Sequence, residues 1–422
     1  MNELTGTLGP LPATHPPADR LTRVLRSGTL RQLAALRHGH LTLEDSGGIS
    51  QFGCREAPLH ARVQVRDAAF YRQLALRGSV GAAEAYMEGW WDSDDLVTLV
   101  RILVANRELL DGLEGGAARL AGWALHAAHA LRRNTRAGSR RNIAAHYDLG
   151  NEFFALFLSP DLMYSAALWE SDTDTLERAS ERKLARICAR LQLNAGDHVL
   201  EIGSGWGGFA LYAAARHGCR VTTTTISREQ QRLALERVAQ AGLEGRVTVL
   251  LEDYRALSGQ YDKLVSIEMI EAIGAQFLPT YFGKIRQLLK PAGLALLQAI
   301  TIEDHRYHKA LHSVDFIKRY VFPGSFIPSI QAMLAAKTQA SDLALVHLED
   351  FGLSYAATLA AWRAAFLARA DAVRAQGFDE RFLRMWNFYL AYCEGGFRER
   401  SIGVAHMLFA RPGYRPSAVR GA

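Results

Sequence analysis

The sequence predicts an α/β protein with a doubly wound, mostly parallel sheet, preceded by a smaller, mainly helical α+β domain. Between about residues 198 and 300, short apolar runs typical of buried strands alternate with segments at helical spacing. Strands and helices that alternate in this way form a parallel sheet with helices on both faces. The chain has 422 residues, enough for two or three domains, and its pattern changes near residue 142.

The elements of the expected sheet follow one another at short spacing. Its strands are residues 198–202, 220–226, 247–251, 263–267 and 294–300, and its helices are residues 209–216, 227–241 and 281–289. Pro291 and Gly293 end the last of these helices. An aromatic-rich segment at residues 301–330 interrupts the alternation, and helical stretches at 359–374 and 381–397 come after it.

The chain is expected to divide into four parts. Residues 1–20 contain four prolines and form a loose leader. Residues 21–131 form an N-terminal domain, and residues 132–141 form an arginine-rich linker. Residues 142–415 form the α/β domain. Within the N-terminal domain we expect strands at residues 41–43 and 61–65 and helices at residues 67–77, 82–87 and 96–110.

Composition narrows the class of protein before any motif is considered. Apolar residues make up 49% of the chain and the formal net charge is +6, which is typical of a globular protein and does not imply nucleic acid. The four cysteines are scattered, so we expect neither disulfides nor a metal site. We see no signal peptide and no apolar run long enough to span a bilayer, and therefore expect a cytoplasmic protein.

A glycine-rich loop follows the first strand of the α/β domain. It is the segment Glu201–Gly208, which also opens a helix. Glycines in such a turn let backbone N–H groups come close to a ligand. An acid at the end of the strand is typical of a site for S-adenosylmethionine, because Glu201 can neutralise the ammonium group of its amino-acid part. The alternative is a tight turn between strand and helix that binds nothing.

The loop and several further motifs resemble the cyclopropane-fatty-acyl-phospholipid synthase family over about residues 40–410. The similar segments are 86–91, 146–154, 163–165, 201–208, 225–230, 322–329 and 393–398. The resemblance implies a class I methyltransferase fold with a helical acyl-binding insertion. It also implies S-adenosylmethionine-dependent transfer of a one-carbon unit to the cis double bond of an unsaturated acyl chain in membrane phospholipid.

The resemblance also implies which residues bind the cofactor. The positions that match are Tyr164, Ser165, Gly203, Gly205, Thr225, Ile226 and Gln230. Asp253 and Tyr254 follow the third strand, where the adenine ring would lie. Ser227 and Gln230 also form a capping-box pattern, so Gln230 is expected to combine a helix cap with a place near the cofactor.

In this family the proton that leaves after methyl transfer is taken up by a bound bicarbonate. Of the residues that hold this anion, Glu271, Tyr355 and the backbone of Ile300 are present here. The cysteine position is Ala166 and the histidine position is Gln298. A bicarbonate cofactor is therefore doubtful. Any anion in this place would depend on Tyr355, Gln298 and the Ile300 backbone.

A second acid and a cysteine are further candidates for the catalytic site. Glu268 lies three residues before Glu271, which places both carboxylates on one face if the turn between them is helical. Glu268 or Glu271 could then act as a rebuilt base, or the product could be a methyl- or methylene-branched chain instead of a ring. Cys393 matches a cysteine proposed as catalytic in the family, and the alternative is a structural role.

The partners expected are a phospholipid with an unsaturated acyl chain, the inner face of a membrane and a second copy of the chain. The arginines of residues 132–141 could contact anionic lipid at a peripheral site, or could simply form a solvated linker. A nucleic-acid methyltransferase is disfavoured because the sequence offers no site for a flipped base. A non-catalytic lipid-binding or regulatory relic of the same fold is the main alternative.

Overall fold

The computed structural model describes residues 19–109 and 149–415, which form two compact units. One unit contains residues 19–109 together with residues 312–323 and 359–401. The other contains residues 149–311, 324–358 and 402–415. The predicted linker at residues 132–141 and residues 1–18 of the predicted leader lie outside the described residues.

The helices and strands of the described residues are numbered along the chain. The helices are α1 Arg20–Leu33, α2 Ala69–Met87, α3 Leu96–Ala105, α4 Asn151–Ala155, α5 Leu176–Leu191, α6 Gly208–His217, α7 Arg228–Gln240, α8 Leu278–Leu288, α9 Tyr307–Leu311, α10 Ile330–Ala340, α11 Gly352–Ala368, α12 Ala370–Ala375 and α13 Glu380–Arg398. The strands are β1 His40–Asp45, β2 Gly48–Gly53, β3 His60–Val65, β4 Trp91–Ser93, β5 His198–Ile202, β6 Arg220–Thr225, β7 Val247–Leu251, β8 Tyr261–Ile267, β9 Leu289–Ile302, β10 Ala344–Asp350 and β11 Ile402–Ala410.

The first unit contains a small mixed sheet with the strand order β2-β1-β3-β4. Strands β1 and β3 are parallel, and the other two pairs are antiparallel. The predicted helices at 67–77 and 82–87 are the two halves of α2, which is broken at Gly78. The φ of Gly78 is +56°, a left-handed conformation that glycine adopts easily, so the prediction of two segments reflects a real interruption.

The second unit contains the predicted doubly wound sheet, with the strand order β10-β11-β9-β8-β5-β6-β7. The five strands from β9 to β7 in this order are parallel, and β11 is antiparallel to both β9 and β10. The α/β fold class is confirmed. The sequence analysis did not predict β10 and β11, which extend one edge of the sheet.

Two apolar layers cover the faces of this sheet, as its alternating side chains require. On β5, Val199 packs into the layer formed with α5, α6 and α7, whereas Leu200 and Ile202 pack into the layer formed with α8 and α10. On β8, Leu264 and Val265 divide in the same way. Since successive strand residues point to opposite faces, a sheet buried on both faces has near-continuous apolar strands. This arrangement directs ligands to the carboxyl ends of the strands.

The start of α7 differs in one detail from the predicted capping box. The Ser227 hydroxyl caps the helix by accepting a hydrogen bond from the Gln230 backbone N–H at 3.3 Å. The Gln230 side chain does not return to Ser227 but accepts from the Thr225 hydroxyl at 2.8 Å. The Ser227 N–H donates to that same hydroxyl oxygen at 3.1 Å. The reciprocal half of the box is thus replaced by a bond to the end of β6.

No helix among residues 19–109 and 149–415 combines the length and the apolar character needed to cross a membrane. Over the same ranges, no group of three or more His, Cys, Asp or Glu side chains is arranged to hold a metal ion.

Candidate active site

The glycine-rich loop lies at the carboxyl end of β5 and is tied to β6. The backbone N–H groups of Gly203 and Ser204 donate to the Thr224 carbonyl at 3.1 and 2.8 Å. Gly203 has a φ of +96°, and a Cβ there would lie 2.9 Å from Cγ of Met269. A Cβ on Gly205 would meet no atom within 4 Å, so the loop is packed at one glycine and open at the other.

Glu201, the last acid before this loop, is a buried carboxylate with a free oxygen. Its side chain is 2% exposed, and its Oε2 atom has no hydrogen-bond partner in the described residues. Burial raises the pKa of Glu201 to about 8. A buried carboxylate of this kind is costly unless a cation compensates it. The ammonium group of S-adenosylmethionine has the charge and the donors to do so, so the residue fits the predicted cofactor.

The neighbouring strand ends hold the other predicted cofactor residues. Thr225 and Gln230 are buried and bonded to each other, and Ile226 is half-buried between β6 and α7. Asp253 and Tyr254 are buried just beyond β7. The Asp253 carboxylate is paired with Arg255, whose Nη2 lies 2.6 Å from its Oδ2. Contact between these residues and an adenine ring stays a prediction.

A loop before α5 brings Tyr164 and Ser165 to this region and rests on a buried lysine. The Tyr164 ring packs against Phe154 at 5.2 Å between centroids. The Ser165 hydroxyl accepts a hydrogen bond from Nζ of Lys183 at 2.8 Å. Lys183 is fully buried, and its burial lowers the pKa to about 8. Sequence reasoning missed Lys183 because it lies among the charged residues of an amphipathic helix.

Glu268 lies directly after β8 and accepts three hydrogen bonds from three separate parts of the chain. Its Oε1 accepts from the Ala166 backbone N–H at 2.8 Å and from the Gln298 amide at 2.7 Å. Its Oε2 accepts from the Tyr355 hydroxyl at 2.7 Å. Burial raises the pKa of Glu268, while these donors and Lys183 oppose the shift. This carboxylate is therefore fixed in position and electrostatically compensated.

Glu271 is held differently. Its Oε1 accepts from the Ile300 backbone N–H at 2.6 Å, and its Oε2 has no partner in the described part of the chain. Burial, reinforced by the charge of Glu268, raises the pKa of Glu271 to about 8. Both glutamate residues keep partial exposure. Burial therefore disfavours the charged form of both glutamates, and at Glu268 the hydrogen-bond donors and Lys183 oppose this effect.

The expectation that these acids share a helical face is wrong. Glu268 has a φ of +47°, and the short 3₁₀ turn Ile270–Ala272 begins after it. The left-handed backbone at Glu268 breaks the helical spacing, and the end of β8 brings the two acids together instead.

The donors on which an anion would depend, Tyr355, Gln298 and the Ile300 backbone, have partners in this structure. Each of these donors already bonds to a glutamate: Tyr355 and Gln298 to Glu268, and Ile300 to Glu271.

Gln298 is oriented by a buried histidine that the sequence analysis missed. His406 on β11 lies opposite Gln298 on β9, and its Nε2 is 2.9 Å from the Gln298 carbonyl oxygen. Burial lowers the pKa of His406 to about 3, so the ring is neutral. A neutral ring that donates from Nε2 leaves the Gln298 amide N–H group free to point to Glu268. No local sequence signal could reveal a contact between residues 108 positions apart.

Comparison with known proteins gives the family. The sequence profile of the mycolic acid cyclopropane synthetase family matches residues 134–407. The chain belongs to this family.

Two curated family relatives cover most of this chain. It is 39% identical over 362 residues to the tuberculostearic acid methyltransferase UfaA1 of Mycobacterium tuberculosis, covering 82% of each chain. It is 38% identical over 354 residues to the cyclopropane-fatty-acyl-phospholipid synthase of Escherichia coli K12, covering 83% of this chain and 88% of the relative.

Solved structures of the family agree with the fold. The cyclopropane synthase MmaA2 from Mycobacterium tuberculosis superposes with a TM-score of 0.60 at 27% identity. The mycolic acid cyclopropane synthase CmaA1, complexed with SAH and CTAB, gives the same TM-score at 28% identity. Each covers 64% of this chain and 98% of its own. The mycolic acid cyclopropane synthetase family is S-adenosylmethionine-dependent, and this chain is accordingly a methyltransferase with a class I fold.

Cys393, the remaining candidate of this methyltransferase, lies in α13 within the other compact unit. Burial raises the pKa of its thiol, which keeps it protonated and a poor nucleophile. These properties are those of the structural alternative.

Proposed function

We propose that this methyltransferase acts on the cis double bond of an unsaturated acyl chain in membrane phospholipid and releases a methylene- or methyl-branched chain. The observation that supports the branched product is the pairing of Glu268 with Ala166, Gln298 and Tyr355. This part of the site departs from the family pattern. The relative UfaA1 is itself named a methyltransferase of a fatty acid.

The chemistry requires a base only after the methyl group has been transferred. Bound S-adenosylmethionine supplies an electrophilic methyl group, and the π electrons of the alkene form the new C–C bond. A carbocation is left on the neighbouring chain carbon. Loss of a proton from the added methyl group then closes a cyclopropane ring. A hydride shift before that loss gives a methylene branch, and loss from the chain gives a methyl-branched alkene.

The apolar layer next to Glu271 supports a reaction through such a carbocation. A cation in an acyl chain is quenched by water or by any nucleophile, so the surroundings must be apolar and dry. Phe326 and Tyr307 belong to the apolar layer on this side of the sheet, and the Phe326 backbone N–H donates to the Glu271 carbonyl at 3.1 Å. Aromatic faces of this kind stabilise a nearby cation.

A cyclopropane product is the second candidate, because the similarity to the Escherichia coli cyclopropane-fatty-acyl-phospholipid synthase covers 88% of that enzyme. Incubation of the purified enzyme with unsaturated phospholipid vesicles and S-adenosylmethionine carrying a trideuterated methyl group separates the outcomes. A product with three deuterium atoms has lost its proton from the chain. A product with two has lost it from the added methyl group, and NMR then distinguishes ring from methylene.

A variant that cannot bind the cofactor, Gly203→Val, serves as the negative control. Cyclopropane as the sole product would contradict the branched product, and unmodified lipid with an intact wild-type enzyme would contradict the function as a whole.

We propose that the protein contacts the inner face of a membrane peripherally, because it must reach a lipid substrate. A homodimer remains a further expectation. Residues 131–141 contain five arginines and no acid. Each basic residue near an anionic surface contributes about 1 kcal/mol. We expect sedimentation with phosphatidylglycerol vesicles that weakens at high salt, and little binding to phosphatidylcholine. Equal binding to both lipids would contradict an electrostatic contact.

A further inference from the structure

We infer that Glu268 is a built-in carboxylate base that takes the place of a free anion, so that this methyltransferase works without bicarbonate. The inference rests on the proposed function, since it concerns the proton that leaves after methyl transfer. It names the group that accepts this proton, and it implies that catalysis needs no external anion.

The hydrogen bonds of Glu268 are those that a small bound oxyanion would receive. Its two oxygens accept from a backbone N–H, a side-chain amide and a phenol hydroxyl, which reach it from residues 166, 298 and 355. These donors are distant in sequence and converge on one carboxylate. With all three engaged, a second anion in this place would have to compete with Glu268 for the same donors.

The backbone at Glu268 also indicates that the surrounding structure holds this residue in an unfavourable conformation. A φ of +47° is unfavourable for a residue with a side chain and favourable for glycine. Strain of this kind persists only where the surroundings fix the residue. A glycine would relieve the strain but would remove the carboxylate.

The groups around Glu268 favour its charged form and hold the side chain in one orientation. Lys183 opposes the effect of burial on the pKa of Glu268, and protonated Glu271 avoids a second charge beside it. His406 fixes the carbonyl end of Gln298, so that the amide N–H group faces Glu268. The three donors and Lys183 therefore favour the charged form of Glu268 against the effect of burial.

The proton-transfer step balances without any co-reactant. The C–S bond of the cofactor breaks and a C–C bond forms from the alkene electrons. A C–H bond then breaks, its proton goes to the Glu268 carboxylate, and its electron pair forms the new C–C or C=C bond. Release of that proton to solvent restores the charged form for the next turnover.

The variant that tests this inference is Glu268→Gly, which suits the backbone and opens the space that the carboxylate fills. In carbon-dioxide-free buffer we expect wild-type turnover to change less than twofold when bicarbonate is added. Glu268→Gly should lose at least about 100-fold in turnover, the usual scale for removal of an acid–base group. Added bicarbonate should restore part of this loss in a saturable way, with acetate and formate as comparison anions. Glu244→Gln, at an exposed position, is the matched control for loss of a charge.

Binding of ¹³C-labelled bicarbonate, followed by NMR, tests the same point without turnover. Glu268→Gly should broaden or shift the signal and wild type should not. Thermal unfolding of each variant separates misfolding from loss of the base, and Glu268→Gln provides a second variant of nearly the same shape. Saturable bicarbonate binding to wild type, or a wild type that stalls without bicarbonate, overturns the inference while leaving methyl transfer intact. Absence of any modified lipid, with no bicarbonate bound to wild type, contradicts the proposed function instead.

Discussion

The two acidic regions of the α/β unit differ in how their carboxylates are satisfied. At the end of β5, Glu201 is buried with one oxygen unpartnered, beside an open position at Gly205. At the end of β8, Glu268 receives three hydrogen bonds from the protein itself. In the first region one carboxylate oxygen has no partner among the described residues, and a cationic ligand can supply one. The second already contains its anion.

Because of this difference, we assign cofactor binding to the region of Glu201 and proton transfer to the region of Glu268. An unsatisfied buried carboxylate gains most when a cationic ligand arrives, whereas a satisfied one is fixed before the ligand binds. The two regions adjoin at one point, because Met269 follows Glu268 and lies against Gly203. Substitutions in the glycine-rich loop should therefore affect cofactor binding, and substitutions around Glu268 should affect proton transfer.

The largest effect is expected from Gly203→Val. The new side chain would meet Met269 at a backbone φ that β-branched residues disfavour. We expect the affinity for S-adenosylhomocysteine to fall at least about 100-fold, about 2.7 kcal/mol, by calorimetry. Gly242→Val has a similar positive φ and no atom within 4 Å of its Cβ, so it controls for backbone strain alone. Unchanged affinity in Gly203→Val would place the cofactor elsewhere.

Glu201→Gln should change the protons released on binding. With a pKa of about 8, Glu201 is mostly protonated at pH 7, and a bound ammonium group lowers that pKa. Binding of S-adenosylhomocysteine should therefore release nearly one proton at pH 7 and less as the pH rises above 8. Calorimetry in buffers of different ionisation enthalpy measures this number. We expect the variant to release none and to bind about tenfold more weakly, and a wild type that releases none would contradict the ammonium contact.

Glu271→Gln should have a smaller effect on turnover, under about tenfold, because glutamine resembles the protonated form of Glu271. The contribution of Glu271 to stability depends on pH, and the sign of this dependence follows from its pKa. The pKa of Glu271 rises from 4.5 to about 8 on folding, so the unfolded chain binds fewer protons between these values and stability falls as pH rises. The melting temperature of the variant should fall less steeply between pH 5 and 8 than that of wild type. Equal slopes would show that Glu271 titrates normally.

The smallest effect is expected from His406→Leu, which removes the partner of Gln298 but touches neither glutamate. We expect turnover to fall a few-fold with unchanged affinity for S-adenosylhomocysteine, because a free amide can rotate away from Glu268. His406→Gln can still donate to the Gln298 carbonyl and should recover part of this loss. A wild-type pH profile with an inflection near 6.5 that His406→Leu removes would contradict a neutral ring.

The cofactor region could be predicted well because its residues are close in sequence. Glu201, Gly203 and Gly205 lie in one loop, and a parallel sheet places that loop at a ligand-binding edge whatever the rest of the chain does. Lys183 was missed since the amphipathic pattern of α5 gives no sign that one of its charged residues points inward. Its role becomes visible only through the hydrogen bond to Ser165.

The doubly wound sheet, the glycine-rich loop and the two glutamates near residue 270 could all be predicted from the amino-acid sequence. Periodicity and local spacing encode these features, and they do not depend on distant contacts. The tertiary structure decided which carboxylate is satisfied. Ala166, Gln298 and Tyr355 meet Glu268 only after three separate segments have packed together. His406 reaches Gln298 only because β11 pairs with β9, and no short-range pattern specifies that pairing.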